Sequence, residues 1–203
     1  MTRFYKVLIV LIFLVASTGL TGKEPAGVIA IQPFGNIKKA IIAEVQKGIT
    51  GAFRVRVEVL ERVPLPKEAW YPPRRRWRAE RLLSFLSRNT PSRYMKVIGL
   101  TNRDISTSKG KFKDWGIFGL GTVGGRTCVV STFRLRRSRV SYRYFIGRLV
   151  KVANHELGHT FGLGHCPNRG CLMEDAKGTI RTVDRETGAF CEECQKRLRH
   201  VLR

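Results

Sequence analysis

Between Ser141 and Phe161 the chain spaces Ile146, Val150, Ala153, Leu157 and Phe161 by four, three, four and four residues. That is the period of an α-helix with one apolar stripe, and a stripe of this length must lie against a core. His155 and His159 fall four apart on the same helix. Each residue turns the helix by ~100°, so both stand roughly opposite the stripe, next to Val152. The pattern predicts a helix from about Ser141 to Phe161, packed on one side and presenting two imidazoles to a cleft on the other. Any fold for this chain has to leave that face accessible.

The same residues carry a chemistry. His155-Glu156-Leu157-Gly158-His159 is an H-E-x-x-H run, in which two imidazoles one turn apart can reach one tetrahedral ion. Glu156 then stands beside the ion without binding it, placed to take a proton from a zinc-activated water and pass it to the leaving amine. His165 supplies a third ligand, because Gly162 can adopt the positive φ that ends a helix and turns the chain back. Three histidines leave the fourth position open, as catalytic zinc requires. A helix carrying these letters by chance would bury or expose its histidines without order, which three correct spacings, an intervening acid and a turn glycine argue against. The remaining histidine, His200, is expected on the surface of a basic C-terminal helix from Cys191 to Arg203.

Cys166 follows the third histidine directly, Cys171 and Met173 come soon after, and Cys191 and Cys194 form a C-x-x-C. Two short-spaced thiol pairs are the usual ligand set of a closed structural zinc, here one that would clamp the segment bearing His165. The alternative is a pair of disulfides, which an oxidising compartment would favour. Met173 has an ordinary role open to it as a core residue. Cys128 lies in an apolar strand and reads as a buried, unreactive thiol.

His155 to His165 matches the H-E-x-x-H-x-x-G-x-x-H pattern of metzincins, and the string from His155 to Cys194 resembles the longer signature of the archaemetzincins. The likeness is specific over about forty residues. It is weaker upstream, where Gly125, Arg126 and Val129 to Leu135 are similar to that family's edge strand and following segment. The resemblance implies an α/β, zincin-like mixed sheet with an active-site helix in a single compact domain, and peptidase activity, with aminopeptidase action as one form of it. It also implies Met173 as the Met-turn floor beneath the catalytic metal and Cys166, Cys171, Cys191 and Cys194 as ligands of a second zinc.

With 203 residues the chain can bury one good core. Residues 27–203 are expected to form that domain. Val28 to Gln32 reads as a buried strand, Asn36 to Lys47 as a helix, and Phe53, Val55, Val57 and Val59 as a strand with one buried face. Pro64 to Arg78, with Arg74 to Arg76 and Trp77, reads as an exposed basic loop feeding a helix from about Arg78 to Ser87. Val97 to Leu100 is a further strand, followed by a polar loop through Lys113. Trp115 to Leu120 and Thr127 to Phe133 form a close pair of strands, the second of them a candidate sheet edge for an extended substrate.

Lys and Arg number 38 against 15 acids. Ion pairing cannot absorb that excess, so the surface favours anionic partners such as envelope polymers or acidic peptides. The cluster Arg134, Arg136, Arg137, Arg139 and Arg143 is either a selector of that kind or a solvated loop. The N-terminus has Arg3 and Lys6 before an apolar run from Val7 to Ala16 and then small residues, which is an export signal over residues 1–19. An uncleaved anchor is the other form, although the run falls short of the about 20 residues that span a bilayer. Export and the lack of a recognised module argue against nucleic acid. Two functional classes follow: an exported zinc peptidase acting on peptides or proteins, or a catalytically idle, zinc-stabilised binding module for anionic polymers. Glu156 favours the enzyme, because a purely structural site has no use for that acid.

Overall fold

A computed structural model describes residues 27–136 and 140–202. The expected signal segment, and Arg137 and Arg139 of the arginine cluster, lie outside the described residues. In chain order the elements are β1 (Val28–Phe34), α1 (Lys39–Phe53), β2 (Arg56–Val59), β3 (Trp70–Tyr71), β4 (Arg76–Arg78) and α2 (Ala79–Asn89). There follow β5 (Tyr94–Thr101), β6 (Ile105–Lys109), β7 (Phe112–Ile117), β8 (Gly119–Gly121), β9 (Thr127–Ser131), α3 (Tyr142–Thr160), α4 (Ile180–Arg185) and α5 (Glu192–Val201).

The main sheet runs β2-β1-β5-β9-β8, parallel except for the last strand. Alternate side chains go to opposite faces of a strand. Ile29, Ile31, Ile98, Leu100, Cys128 and Val130 therefore share one core with α1 and α3. Ala30, Val97 and Val129 face the other way, into the clusters that hold Leu82 and Leu86 of α2. Both sheet faces are covered, which is the mixed α/β architecture that the resemblance implied.

Two sequence expectations fail for one reason. The first helix does not stop at Lys47 but continues through Gly48 to Phe53, so Phe53 belongs to α1 and not to the following strand. Gly48 is the crossing point with α3, because a Cβ there would sit 2.4 Å from Val150. Loss of helix propensity, about 1 kcal/mol, is accepted there for a close helix–helix approach. The helix ends at Arg54, held in the left-handed region at φ 54°.

The stretches expected to be loops, Pro64 to Arg78 and Asn102 to Lys113, form a second sheet, β3-β4-β6-β7. Its interior is ionic. Arg76 binds Asp104 at 2.9 Å and Asp114 at 2.6 Å, and Arg134 reaches Asp104 at 2.7 and 2.9 Å. Arg134 is thus not a solvated loop residue, and Arg136 stacks over Phe145 with its guanidinium 4.6 Å from the ring centre. The strand Thr127–Ser131 is not a sheet edge either. It lies between β5 and β8, and the edge is the three-residue β8.

Candidate metal centres and cleft

Helix α3 begins at Ser141, whose hydroxyl accepts from the backbone N–H of Tyr144, and ends in a glycine turn. Leu163 N–H bonds to Gly158 O at 3.1 Å and Gly162 N–H to His159 O at 2.9 Å, with Gly162 at φ 89°. This Schellman-type stop reverses the chain as the motif requires. His165 comes back beside the helix, its ring centre 4.9 Å from that of His159 and 5.5 Å from that of His155.

Second contacts fix the two helical imidazoles. Nδ1 of His155 lies 2.7 Å from Leu172 O, and Nδ1 of His159 lies 2.8 Å from Leu163 O. A carbonyl oxygen only accepts, so each Nδ1 must carry the proton. Burial and the neighbouring histidine push the pKa of His155 down to about 4, and burial lowers that of His159. Both rings are then neutral at pH 7, with bare lone pairs on Nε2. Those two Nε2 atoms face each other at 3.0 Å. Without a proton between them the contact is repulsive; a cation relieves it, and the separation is near the about 3.3 Å edge of a nitrogen tetrahedron around zinc. One ligand atom from each of His155, His159 and His165 fits within 4.8 Å of the others.

Glu156 is buried next to this cluster, and burial raises its carboxyl to about 8 against the pull of the Gly121 N–H. The edge strand β8 lies directly over it. A Cβ on Gly119 would come within 2.6 Å of the Glu156 side chain, and one on Gly121 within 2.5 Å of Glu156 O. Sequence reasoning placed Gly119 and Leu120 in a strand next to Thr127 to Phe133 but stopped it before Gly121, and missed the close approach of this strand to α3. Its signal was available: glycines two apart lie on the same face of a strand and mark close approach of another backbone. Beneath the helix, Gly158 leaves room for Met173, which is fully buried with Sδ 2.5 Å from where a Cβ would stand.

The four cysteines form a second cluster. Cys166 and Cys191 sulfurs are 3.7 Å apart and those of Cys171 and Cys194 3.9 Å, with all four within 4.8 Å of one another. Bonded pairs would be about 2.05 Å apart. The separations are close to the about 3.8 Å edge of four thiolates around zinc. Backbone N–H groups of Met173 and Cys191 point at Cys171 Sγ at 3.4 and 3.3 Å, and Asn168 donates to Cys191 Sγ at 3.4 Å. The Cys194 amide and Asn168 lower the Cys191 thiol to about 6, whereas burial pushes Cys171 and Cys194 up. Cys128 stands apart, fully buried, its thiol raised by desolvation, as an inert core cysteine should be. His200 is exposed on α5 as expected.

A cleft of about 680 Å³ runs past the histidines, within the range of ligand sites. A histidine cluster shaped for a cation, with a buried carboxyl at its side and an open cleft before it, is the arrangement of a zinc-dependent metallopeptidase. Comparison with known proteins carries this further. The family model of Peptidase family M54 matches residues 32–200, and the chain belongs to that family, the archaemetzincins. An archaemetzincin from Methanopyrus kandleri is 37% identical over 143 residues, covering 70% of this chain and 77% of its own length. One from Halobacterium salinarum is 32% identical over 173 residues, or 82% and 96%. The crystal structure of the Methanopyrus kandleri protein superposes with a TM-score of 0.74 at 32% identity, covering 87% of this chain and 96% of that one. The archaemetzincin structure from Archaeoglobus fulgidus, complexed with malonate, gives 0.71 at 29% identity, with 84% and 99% covered.

Proposed function

We propose that His155, His159 and His165 hold a catalytic zinc, that Glu156 is the general base of peptide hydrolysis, and that Cys166, Cys171, Cys191 and Cys194 hold a second, structural zinc. The observation that carries this is the pair of unprotonated Nε2 atoms facing each other at 3.0 Å, each fixed by its own carbonyl. A bound ion would polarise water and the scissile carbonyl. Glu156, kept out of solvent and oriented by Gly121 N–H, would be ionised by the charge of a bound cation, and as the carboxylate it receives the water proton and returns it to the leaving nitrogen. Met173 supplies an apolar floor that keeps water from the back of the site. An extended substrate runs beside β8, the edge of the main sheet next to the cleft, and pairs with its backbone.

The aminopeptidase form of this reading needs an acid for the free α-amino group, and Asp175, which lines the cleft near His165, supplies one. The export signal and basic surface would place the activity at an anionic envelope surface, which fractionation of the full chain tests. Metal analysis with a peptide-library assay on wild type and Glu156→Gln tests the core of the proposal. Two zincs per chain and cleavage reduced about 10²- to 10⁴-fold by the substitution are expected. Fewer than two zincs, or cleavage that survives, overturns it. Comparing peptides with free and acetylated N-termini separates aminopeptidase from endopeptidase action.

A further inference from the structure

The cleft continues beyond the histidines. Val152 lies three residues of α3, about 4.5 Å along the axis, before His155. With Ile180 and Val183 of α4, and with Phe118, it belongs to one apolar cluster, and these residues line the cleft together with Glu186. Two cations of α3 set the position of α4. Arg148 binds both carboxylate oxygens of Asp184, at 2.6 and 2.7 Å. Lys151 donates to the main-chain carbonyls of Val183, at 2.9 Å, and of Glu186. Glu186 is therefore anchored at the level of the helix turn that precedes the first histidine.

Lys151 directs its hydrogen bonds to carbonyls and not to the Glu186 carboxyl. Among the described residues nothing hydrogen-bonds or ion-pairs with that carboxyl, although Glu186 is only 5% exposed. A buried acid with no donor is costly. Glu186 is one of the residues that line the open cavity beside the reacting centre.

We propose that Glu186 is a specificity-determining residue and that this part of the cleft is a pocket for a lysine or arginine side chain of the substrate. The proposal rests on the peptidase reading of the adjacent metal centre. Val152, Ile180 and Val183 cover the methylene stem, while the carboxyl accepts from the cationic head. Burial and the nearby Glu174 keep the empty pocket's carboxyl protonated up to about pH 8, against Lys151. An entering cation displaces that proton to solvent and leaves a charge-assisted hydrogen bond. A norleucine side chain of the same length fills the walls but leaves the acid unpaired, the situation that gives strong discrimination. The preference is local, and it opposes the long-range field of a chain with net charge +23.

Peptides that differ only in carrying lysine, arginine or norleucine at one position, moved through the positions around the scissile bond, test this. Their binding is measured by calorimetry on zinc-loaded Glu156→Gln protein, and their cleavage on the chain with Glu156. At one position lysine and arginine should exceed norleucine by about tenfold or more. The ratio should fall to within about twofold of unity in Glu186→Gln and invert in Glu186→Leu, with melting curves confirming the fold. A ratio unchanged in Glu186→Gln, no basic preference at any position, or no binding of any peptide overturns the proposal. Binding is read on a protein that need not cleave. Absence of turnover in wild type would thus sink the peptidase reading, while the lysine-to-norleucine binding ratio still decides the pocket.

Discussion

The histidine cluster opens onto the cleft, and the side chain of its third member, His165, is 49% exposed. The cysteine cluster is turned away from the cleft, with Cys171 and Cys194 buried and backbone amides directed at its sulfurs. Two of the three imidazoles come from one helix that is packed whether or not a metal binds. The thiols come from an irregular loop and the start of α5, two segments far apart in sequence that meet at the four sulfurs. An ion at the first cluster would mainly serve chemistry, whereas one at the second would be part of the fold.

Removing a cysteine should break the protein more than removing the base. Cys194→Ser is expected to lower zinc content by one ion and to cost several kcal/mol, on the order of 3–5, read as a large fall in Tm. Because Cys166 directly follows His165, activity should fall with it. A variant that keeps its melting temperature would show that the second site is no structural clamp.

Gly121→Ala probes the other side. The added Cβ would stand 2.5 Å from Glu156 O, so β8 must lift from α3. We expect tenfold or greater loss of kcat/KM with about 1–3 kcal/mol of destabilisation and no loss of either metal. Loss of zinc instead would mean that β8 supports the ligands as well as the base.

The smallest effect is a pH dependence. Burial, with Glu174 adding to it and Lys151 opposing it, holds the Glu186 carboxyl at about 8, against an unfolded value near 4.3. The folded state thus binds the extra proton between those values. Stability from this group falls as pH rises from about 4.5 through about 8, the reverse of a salt-bridged carboxylate. Glu156 contributes in the same direction, so the comparison is between wild type and Glu186→Gln in chemical denaturation. The substituted protein should lose less stability, by about 1–2 kcal/mol, between pH 5 and pH 8.5. Parallel curves would remove Glu186 from the balance.

The histidine and cysteine positions were legible because helix period and ligand spacing are local properties. The structure brings both sets together as the spacing implied. What escaped notice was non-local. The polar strand Ile105–Lys109 has no apolar alternation, and only pairing with Arg76–Arg78 and Phe112–Ile117 makes it a strand. Arg134 is an interior ion-pair residue because Asp104 is brought to it from 30 positions away. Gly121 looks like a turn residue until α3 is placed beneath it. Glu186 carries no motif, and only the packing of α4 on α3 removes it from water.

The segment from Cys166 to Met173 has a consequence of another kind. Leu172 O holds the ring of His155, Met173 O accepts from Cys166 N–H at 2.8 Å, and the Met173 side chain fills the space above Gly158. Surface loops ordinarily vary in length at little cost. This one acts as a ruler: adding or deleting a single residue would bring a different carbonyl to His155 and a different side chain under the helix. Its length is as constrained as that of a helix turn, though it has no regular structure.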